Sequence, residues 1–174
     1  MANPAFETQE ELLCYLYQYK DDFYRLAYGY VKNEQDALDV VSDSLYKASS
    51  YFHTLQNKSY AKTWFYRIVV NTSIDFLRRR KRSNVVDEDI ASLPYHDPDS
   101  VELVDLRNGI DRLAPTFKTV IILRFFEDLK LEEIAQIQQC SINTVKSRLY
   151  AALRKLKLDM TIPIVFLIRI SCKF

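Results

Sequence analysis

The sequence predicts an all-α chain of two small helical domains joined by an acidic linker. Three observations carry this reading. The chain holds two glycines, Gly29 and Gly109, in 174 residues. Alternating β-branched runs bounded by turn residues, the mark of hairpins, are hard to find. Apolar residues instead recur at helical intervals through several separate stretches. With 48% hydrophobic and 27% charged residues, the chain has enough apolar surface to bury a core.

Thr8 and Glu11 have the spacing of a capping box, and Leu12, Leu16, Tyr19, Phe23, Leu26 and Tyr30 then follow at helical intervals, predicting one amphipathic helix. Asn33 with Asp36 predicts the start of a second, whose apolar stripe is Ala37, Val40, Val41, Leu45, Ala48 and Phe52. Glu34, Asp39, Ser42 and Asp43 lie off that stripe. After a polar stretch from His53 to Ser59, a third helix is expected from about Tyr60 to Arg82, burying Phe65, Ile68, Val69, Thr72 and Phe76. Arg67, Asn71, Ile74 and Arg78 are spaced by four, three and four, so they share one side of it.

Domain boundaries are expected at 1–82, a linker at 83–99 and a second domain at 100–158, followed by an apolar tail at 159–174. The linker carries Pro94 and Pro98 and no helical periodicity. In the second domain, Val101, Leu103, Val104, Leu106, Ile110 and Leu113 suggest one helix. Pro115 opens the next at a first-turn position, where its missing N–H costs nothing, and Val120, Ile121, Leu123 and Phe125 follow. Leu131, Ile134, Ala135 and Ile137 predict a short helix, Gln139 to Ser141 a tight turn, and Ile142 to Leu158 a longer helix N-capped by Ser141. Two helices around a short turn, the second bearing Lys146, Arg148, Arg154, Lys155 and Lys157, form a helix-turn-helix pattern.

The net charge of +1 conceals local blocks. From Lys62 to Arg82, the cations Lys62, Arg67, Arg78, Arg79, Arg80, Lys81 and Arg82 oppose Asp75. From Ser83 to Asp105 the balance inverts, with Asp87, Glu88, Asp89, Asp97, Asp99, Glu102 and Asp105 and no Lys or Arg. A basic nucleic-acid surface followed by an acidic connector fits this asymmetry. Cys14, Cys140 and Cys172 are odd in number and far apart, with no histidine pair nearby, so neither a disulfide framework nor a zinc site is suggested. No cofactor or metal is expected. A reducing cytoplasm fits, since no basic stretch followed by an apolar run opens the sequence. The tyrosines of the first helix and Trp64 read as packing, and Cys140 as a small buried hydrophobe.

Three stretches together resemble a known family: DALDVVSDSLYKA at 36–48, WFYRIVVNTSIDFLRRRKR at 64–82, and RLAPTFKTVIILRFFEDLKLEEIAQIQQCSINTVKSRLYAALRKL at 112–156. In order, and separated by an acidic linker, they are similar to the two-domain sigma factors of the extracytoplasmic function (ECF) group of the sigma-70 family. The resemblance implies a non-enzymatic transcription factor with no small-molecule substrate. Its expected partners are core RNA polymerase, promoter DNA and an anti-sigma protein, often membrane-bound in the family. It implies that the first domain recognises and opens the minus-10 element, with Arg67, Asn71, Arg78 and Arg79 on the third helix and Leu55 and Asn57 in the preceding loop. Asn71 matches the position that contacts an extruded non-template base, and the arginines suit phosphates. Asp39, Ser42 and Asp43 match the surface that docks on the clamp helices of the polymerase's largest subunit. Ser141, Thr144, Lys146, Ser147, Arg148 and Tyr150 match the minus-35 reader. This chain departs from common family choices at Leu55, often aromatic, at Ala151, often arginine, at Gln138 and Gln139, often leucine and glycine, and at Lys130, often a Ser or Thr cap.

Two other classes stay open on the residues alone. The helix-turn-helix by itself suits a dimeric repressor or activator reading two half-sites. Asp36, Asp39 and Asp43 at helical spacing suggest a carboxylate-bound metal in a helical hydrolase, though one helix alone does not enclose a cation.

Overall fold

The computed structural model describes residues 6–83 and 101–159. Contacts divide the chain into two compact units, Met1–Arg79 with Ala135–Gln139, and Arg80–Ile134 with Cys140–Phe174. Among the described residues there are helices and no strands, and no helix is long and apolar enough to cross a membrane. Of the expected linker and tail, Ser83 and Asp159 end helices. Residues 84–99 and 160–174 lie outside the described residues.

In the first unit, α1 spans Gln9–Tyr17, α2 Lys20–Val31 and α3 Glu34–Ser50, with short 3₁₀ turns at Phe52–Thr54 and Lys58–Tyr60, and α4, Ala61–Ser83, belongs to it as far as Arg79. The expected capping box is present: Thr8 Oγ1 accepts from the Glu11 N–H at 3.2 Å, and the Glu11 carboxylate accepts from the N–H groups of Glu7 and Thr8 at 2.6 and 3.2 Å. Those donated bonds lower the pKa of Glu11.

The single helix expected from Leu12 to Tyr30 is in fact two. The chain breaks at Gln18 and Tyr19, where the N–H groups reach back three residues, Gln18 to Tyr15 O and Tyr19 to Leu16 O. A 3₁₀ turn keeps side chains three apart nearly in line, so the apolar phase runs through the break. Asp21 and Asp22, in the first turn of α2, favour the positive end of the new helix. Lys32 closes α2 in the left-handed conformation, φ 58°. Asn33 caps α3, its Oδ1 accepting from the Asp36 N–H at 2.9 Å. Phe52, assigned above to the α3 stripe, falls in the 3₁₀ turn beyond it.

The core of this unit is where α2, α3 and α4 meet. Leu26, Ala27, Val40, Ala48, Phe65 and Val69 are completely buried. Phe23 lies edge-on to both Phe65 and Tyr66, with centroids 4.5 and 5.1 Å away. A ring so enclosed contributes about 3–5 kcal/mol against alanine. Ile68 and Phe76, expected inside, are half-buried. The tyrosine stripe is mostly packing: Tyr15 and Tyr19 meet edge to face at 5.4 Å, and burial, with a hydrogen bond to Tyr19, pushes the Tyr15 pKa up to about 12. Tyr17 is exposed.

Further along the chain, α5 spans Val101–Asp111, α6 Pro115–Ile121, α7 Leu131–Ile137 and α8 Ile142–Asp159, and all but the end of α7 falls in the second unit. Pro115 stands at the first turn of α6 as expected. The helix expected to continue through Phe125 loosens into a π-helical turn over Ile122–Phe126, closed by the Glu127 N–H on Ile122 O at 3.2 Å. The wider turn lets Ile121, Ile122 and Leu123 all be buried, which a straight helix permits less readily. Leu106, Ile110, Leu113, Ile121, Ala152 and Leu156 form one core cluster, with Phe117, Phe125, Phe126, Leu149 and Leu153 packed against it. Lys118 is nearly buried, its ammonium 2.8 Å from Asp111.

Candidate nucleic-acid interface

Helix α4 presents a cleft of about 300 Å³ lined by Lys47, Tyr51, Thr54, Trp64, Arg67, Ile68, Asn71 and Thr72. Three elements build it. The last turn of α3 gives Lys47, the 3₁₀ turn after it brings Tyr51 and Thr54, and α4 gives the rest. Val69, Val70 and Ser73 point into the core, which turns Arg67 and Asn71 outward from the same helix. Lys47 Nζ donates to Thr72 Oγ1 at 3.0 Å, tying one wall to the other. Neither Lys47 nor Arg67 faces a carboxylate among the described residues. The cleft is therefore cationic, aromatic along one side through Trp64 and Tyr51, and equipped at Asn71 with an amide that both donates and accepts. Such a lining suits a nucleobase and its phosphate.

The expected minus-10 residues are only partly brought together. Arg67 and Asn71 share the cleft. Arg78 and Arg79 lie further along α4, exposed and within 3.5 Å of Asp75 and 3.9 Å of Asp43 respectively. In the loop, Thr54 lines the cleft, whereas Leu55 and Asn57 do not. Leu55 caps the first 3₁₀ turn, and Asn57 Oδ1 accepts from the Ser59 N–H at 3.0 Å, which starts the second.

Asp39, Ser42 and Asp43 are all exposed along α3, and Leu38 and Tyr46 stand exposed beside them at 51% and 76%. Large apolar side chains among carboxylates on one open face make a mixed surface suited to a protein partner. Asp36, Asp39 and Asp43 do not converge, and among the described residues no group of three His, Cys, Asp or Glu side chains is gathered to hold a metal.

Along the chain, α7, a short turn and α8 follow one another in the order of a helix-turn-helix. The Lys130 N–H donates to the Glu133 carboxylate at 2.8 Å, so Glu133 caps α7 where Lys130 cannot. Gln139 holds the turn at φ 49°, a left-handed geometry that glycine adopts without its Cβ penalty. Ser141 caps α8, its Oγ accepting from the Thr144 N–H at 3.1 Å and lying 2.9 Å from Thr144 Oγ1. Val145 and Ala152 are fully buried, which turns Lys146, Ser147 and Tyr150 to the exposed face. Arg148 is half-buried, with Nη1 3.6 Å from Cys140 Sγ.

The Sigma-70 region 2 family matches residues 16–83, and the Sigma-70, region 4 family matches residues 103–156. The RNA polymerase sigma factor SigV of Bacillus subtilis is 48% identical over 155 residues, covering 88% of this chain and 93% of SigV. The chain is an ECF sigma factor. The ECF RNA polymerase sigma factor SigW of the same organism is 29% identical across 82% of this chain and 86% of SigW. Among solved structures, the sigma factor RpoE of Bartonella quintana in complex with the anti-sigma factor NepR superposes with a TM-score of 0.67 at 25% identity, over 86% of this chain and 96% of that one. CnrH in complex with the cytosolic domain of CnrY gives 0.66 at 20%, over 87% and 88%, a likeness of fold.

As an RNA polymerase sigma factor, the chain acts in promoter recognition and transcription initiation. Lys47, Tyr51 and Thr54 line the sigma factor's cleft from outside α4, Thr54 from the polar loop before it, and Trp64, expected to pack, lines it as well. Lys47 sits beside the buried Ser44 and Ala48, and a cation placed at the edge of an apolar stripe was the available signal. Leu38 and Tyr46 on α3, and Asn143 in the first turn of α8, are exposed as well.

Proposed function

We propose that the α4 cleft of this sigma factor receives one base of the non-template strand, flipped out as the minus-10 element opens. Asn71 reads its edge, Arg67 neutralises the adjoining phosphate and Trp64 offers a ring to stack on. The observation that carries this reading is the pair of cations, Lys47 and Arg67, that line the cleft beside Asn71 and face no carboxylate among the described residues. Arg78 and Arg79 at the end of α4 follow the phosphate backbone. The open face of α3, with Leu38, Asp39, Ser42, Asp43 and Tyr46, docks on the clamp helices of the polymerase's largest subunit. Asn143, Lys146, Ser147 and Tyr150 enter the major groove at the minus-35 element. Ser141, Thr144 and Arg148 act mainly by holding that helix and its turn.

The factor works without catalysis of its own, in the cytoplasm, in two domains whose boundaries fall near residues 82 and 100. An anti-sigma protein restrains it. The neighbours solved with NepR and with CnrY support that partnership. Purified protein added to core polymerase should give specific run-off transcripts from a genomic promoter library. Failure on every promoter, with tight binding to duplex DNA in the absence of polymerase, would replace this reading with that of an independent DNA-binding regulator.

A further inference from the structure

The first turn of α8 is chemically unlike the rest of the helix. From Gln136 to Val145 the chain carries no charged residue, and the cations begin at Lys146 and continue with Arg148, Arg154 and Lys155. Side-chain contacts made by this end of the helix therefore depend on hydrogen bonds and shape, not on neutralising phosphates. Within the turn the hydroxyls are already engaged: Ser141 Oγ accepts from the Thr144 N–H at 3.1 Å and lies 2.9 Å from Thr144 Oγ1. Asn143 differs from both. An asparagine near a helix start commonly turns its side chain back to the backbone. Here Ser141 does the capping, and the exposed amide of Asn143 meets no partner among the described residues.

The core fixes the direction in which that amide points. Val145, Ala152 and Leu156 are buried along one side of α8. At 3.6 residues per turn, Asn143 falls on the opposite side, in line with the exposed Tyr150 and Arg154 and flanked by Lys146 and Ser147. Tyr150 lies about 10 Å further along the axis, so the two address different base pairs. In a helix-turn-helix, the residues at the start of the second helix are the ones that meet base edges.

The chemistry of the amide selects the base. It holds a donor beside an acceptor in one plane. Adenine presents the complementary pair in the major groove, with N7 accepting and the N6 amine donating. Guanine offers two acceptors there, thymine an acceptor and a methyl group, and cytosine a donor, so each satisfies at most half of the amide. Lys146, a donor alone, suits guanine instead.

We propose that Asn143 is a specificity-determining residue of this sigma factor, reading an adenine of the minus-35 element through its N6 amine and N7. The assignment rests on α8 lying in the major groove at that element.

The test uses the full-length factor with core polymerase on a duplex promoter from which it gives a specific run-off transcript. Each minus-35 base pair is changed to the other three, and each adenine is replaced in turn by 7-deazaadenine, which keeps its pairing and its N6 amine but lacks the N7 acceptor. Wild type should lose about tenfold or more in affinity when one adenine is changed to another base, and several-fold when the same adenine becomes 7-deazaadenine. Asn143→Ala, at an exposed position where alanine is the better helix former, should reduce both penalties to within about twofold. Core binding and the preferences at the other minus-35 positions should persist. Persistence of both penalties in Asn143→Ala would overturn the assignment. So would an even loss across all sequences, which marks a contact to the sugar-phosphate backbone, or the loss of a preference for G·C in place of A·T. Lys146→Ala separates this inference from the reading beneath it. A changed minus-35 preference in that variant, with none in Asn143→Ala, removes Asn143 alone; unchanged preferences in both variants remove α8 from the groove, and the inference with it.

Discussion

Lys62, in the first turn of α4, donates to Asp22 on α2 at 2.9 Å, and the same ammonium lies 3.9 Å from the centroid of the Tyr19 ring. The break between α1 and α2 is therefore pinned to the end of α4 that carries Trp64. Both partners are about 30% exposed, so solvent screens the pair and its worth sits between the surface and buried limits. Lys62→Met should lower stability by about 1 kcal/mol, read as a smaller urea midpoint at unchanged slope. A loss in promoter opening no larger than the loss in stability would mark the contact as structural.

Asn71→Ala and Asp43→Arg should separate two functions. Asn71 lies in the cleft and Asp43 on the open face of α3. The first change should leave core binding intact and reduce promoter opening about tenfold or more, as expected for losing one well-placed base contact. The second should weaken core binding first. Titration with labelled core, followed by permanganate footprinting, checks both; equal loss of both functions in both variants would contradict the assignment.

Lys146→Ala should weaken minus-35 recognition without affecting the affinity for core, because Lys146 stands on the exposed face of α8 opposite the buried Val145 and Ala152. If Lys146 reads a base, the loss is concentrated at one base pair and amounts to about 1–3 kcal/mol there. If it contacts phosphate, the loss is even across sequences and the salt slope falls by about one.

Gln139→Gly should stabilise the helix-turn-helix. At φ 49° the glutamine Cβ crowds its own backbone, at a cost of roughly 1–2 kcal/mol that glycine avoids, partly offset by glycine's greater freedom in the unfolded chain. A rise of a few degrees in the melting temperature is expected, and no rise would show that contacts of the Gln139 side chain outweigh the strain.

Acid should weaken the capping box of α1. Bonds from the Glu7 and Thr8 N–H groups lower the Glu11 pKa below its ordinary 4.5. A lowered carboxylate pKa stabilises the fold above the unfolded value and loses that contribution as pH falls through the folded one. The melting temperature of Glu11→Gln should therefore lie below wild type at neutral pH and converge with it once the pH drops below 4.5. A constant gap across that range would refute the assignment.

The sequence shows where local rules act and hides what distant elements build. Asn33, Pro115 and Ser141 announce helix starts because a cap is written in a few adjacent residues. The break at Tyr19 is silent, since a 3₁₀ turn preserves the apolar phase and no glycine or proline marks it. The π-helical turn at Ile122–Phe126 is silent for a similar reason: every residue there is compatible with an ordinary helix. At the site, Arg67 and Asn71 are legible because they share one helix face. Lys47, Tyr51 and Thr54 reach the cleft from other elements, and no periodicity within α4 predicts them. Asn57, in the same polar loop as Thr54, stands outside the cleft lining, and its side chain completes a turn in its own loop.

The most direct test of the cleft is an abasic scan. Wild-type and Asn71→Ala factors, each bound to core polymerase, are compared for affinity to forked promoter DNA lacking one base at a time across the minus-10 non-template strand. Wild type should lose affinity sharply at one position, and Asn71→Ala should no longer distinguish the missing base there. An unchanged penalty for that missing base in the variant would contradict it.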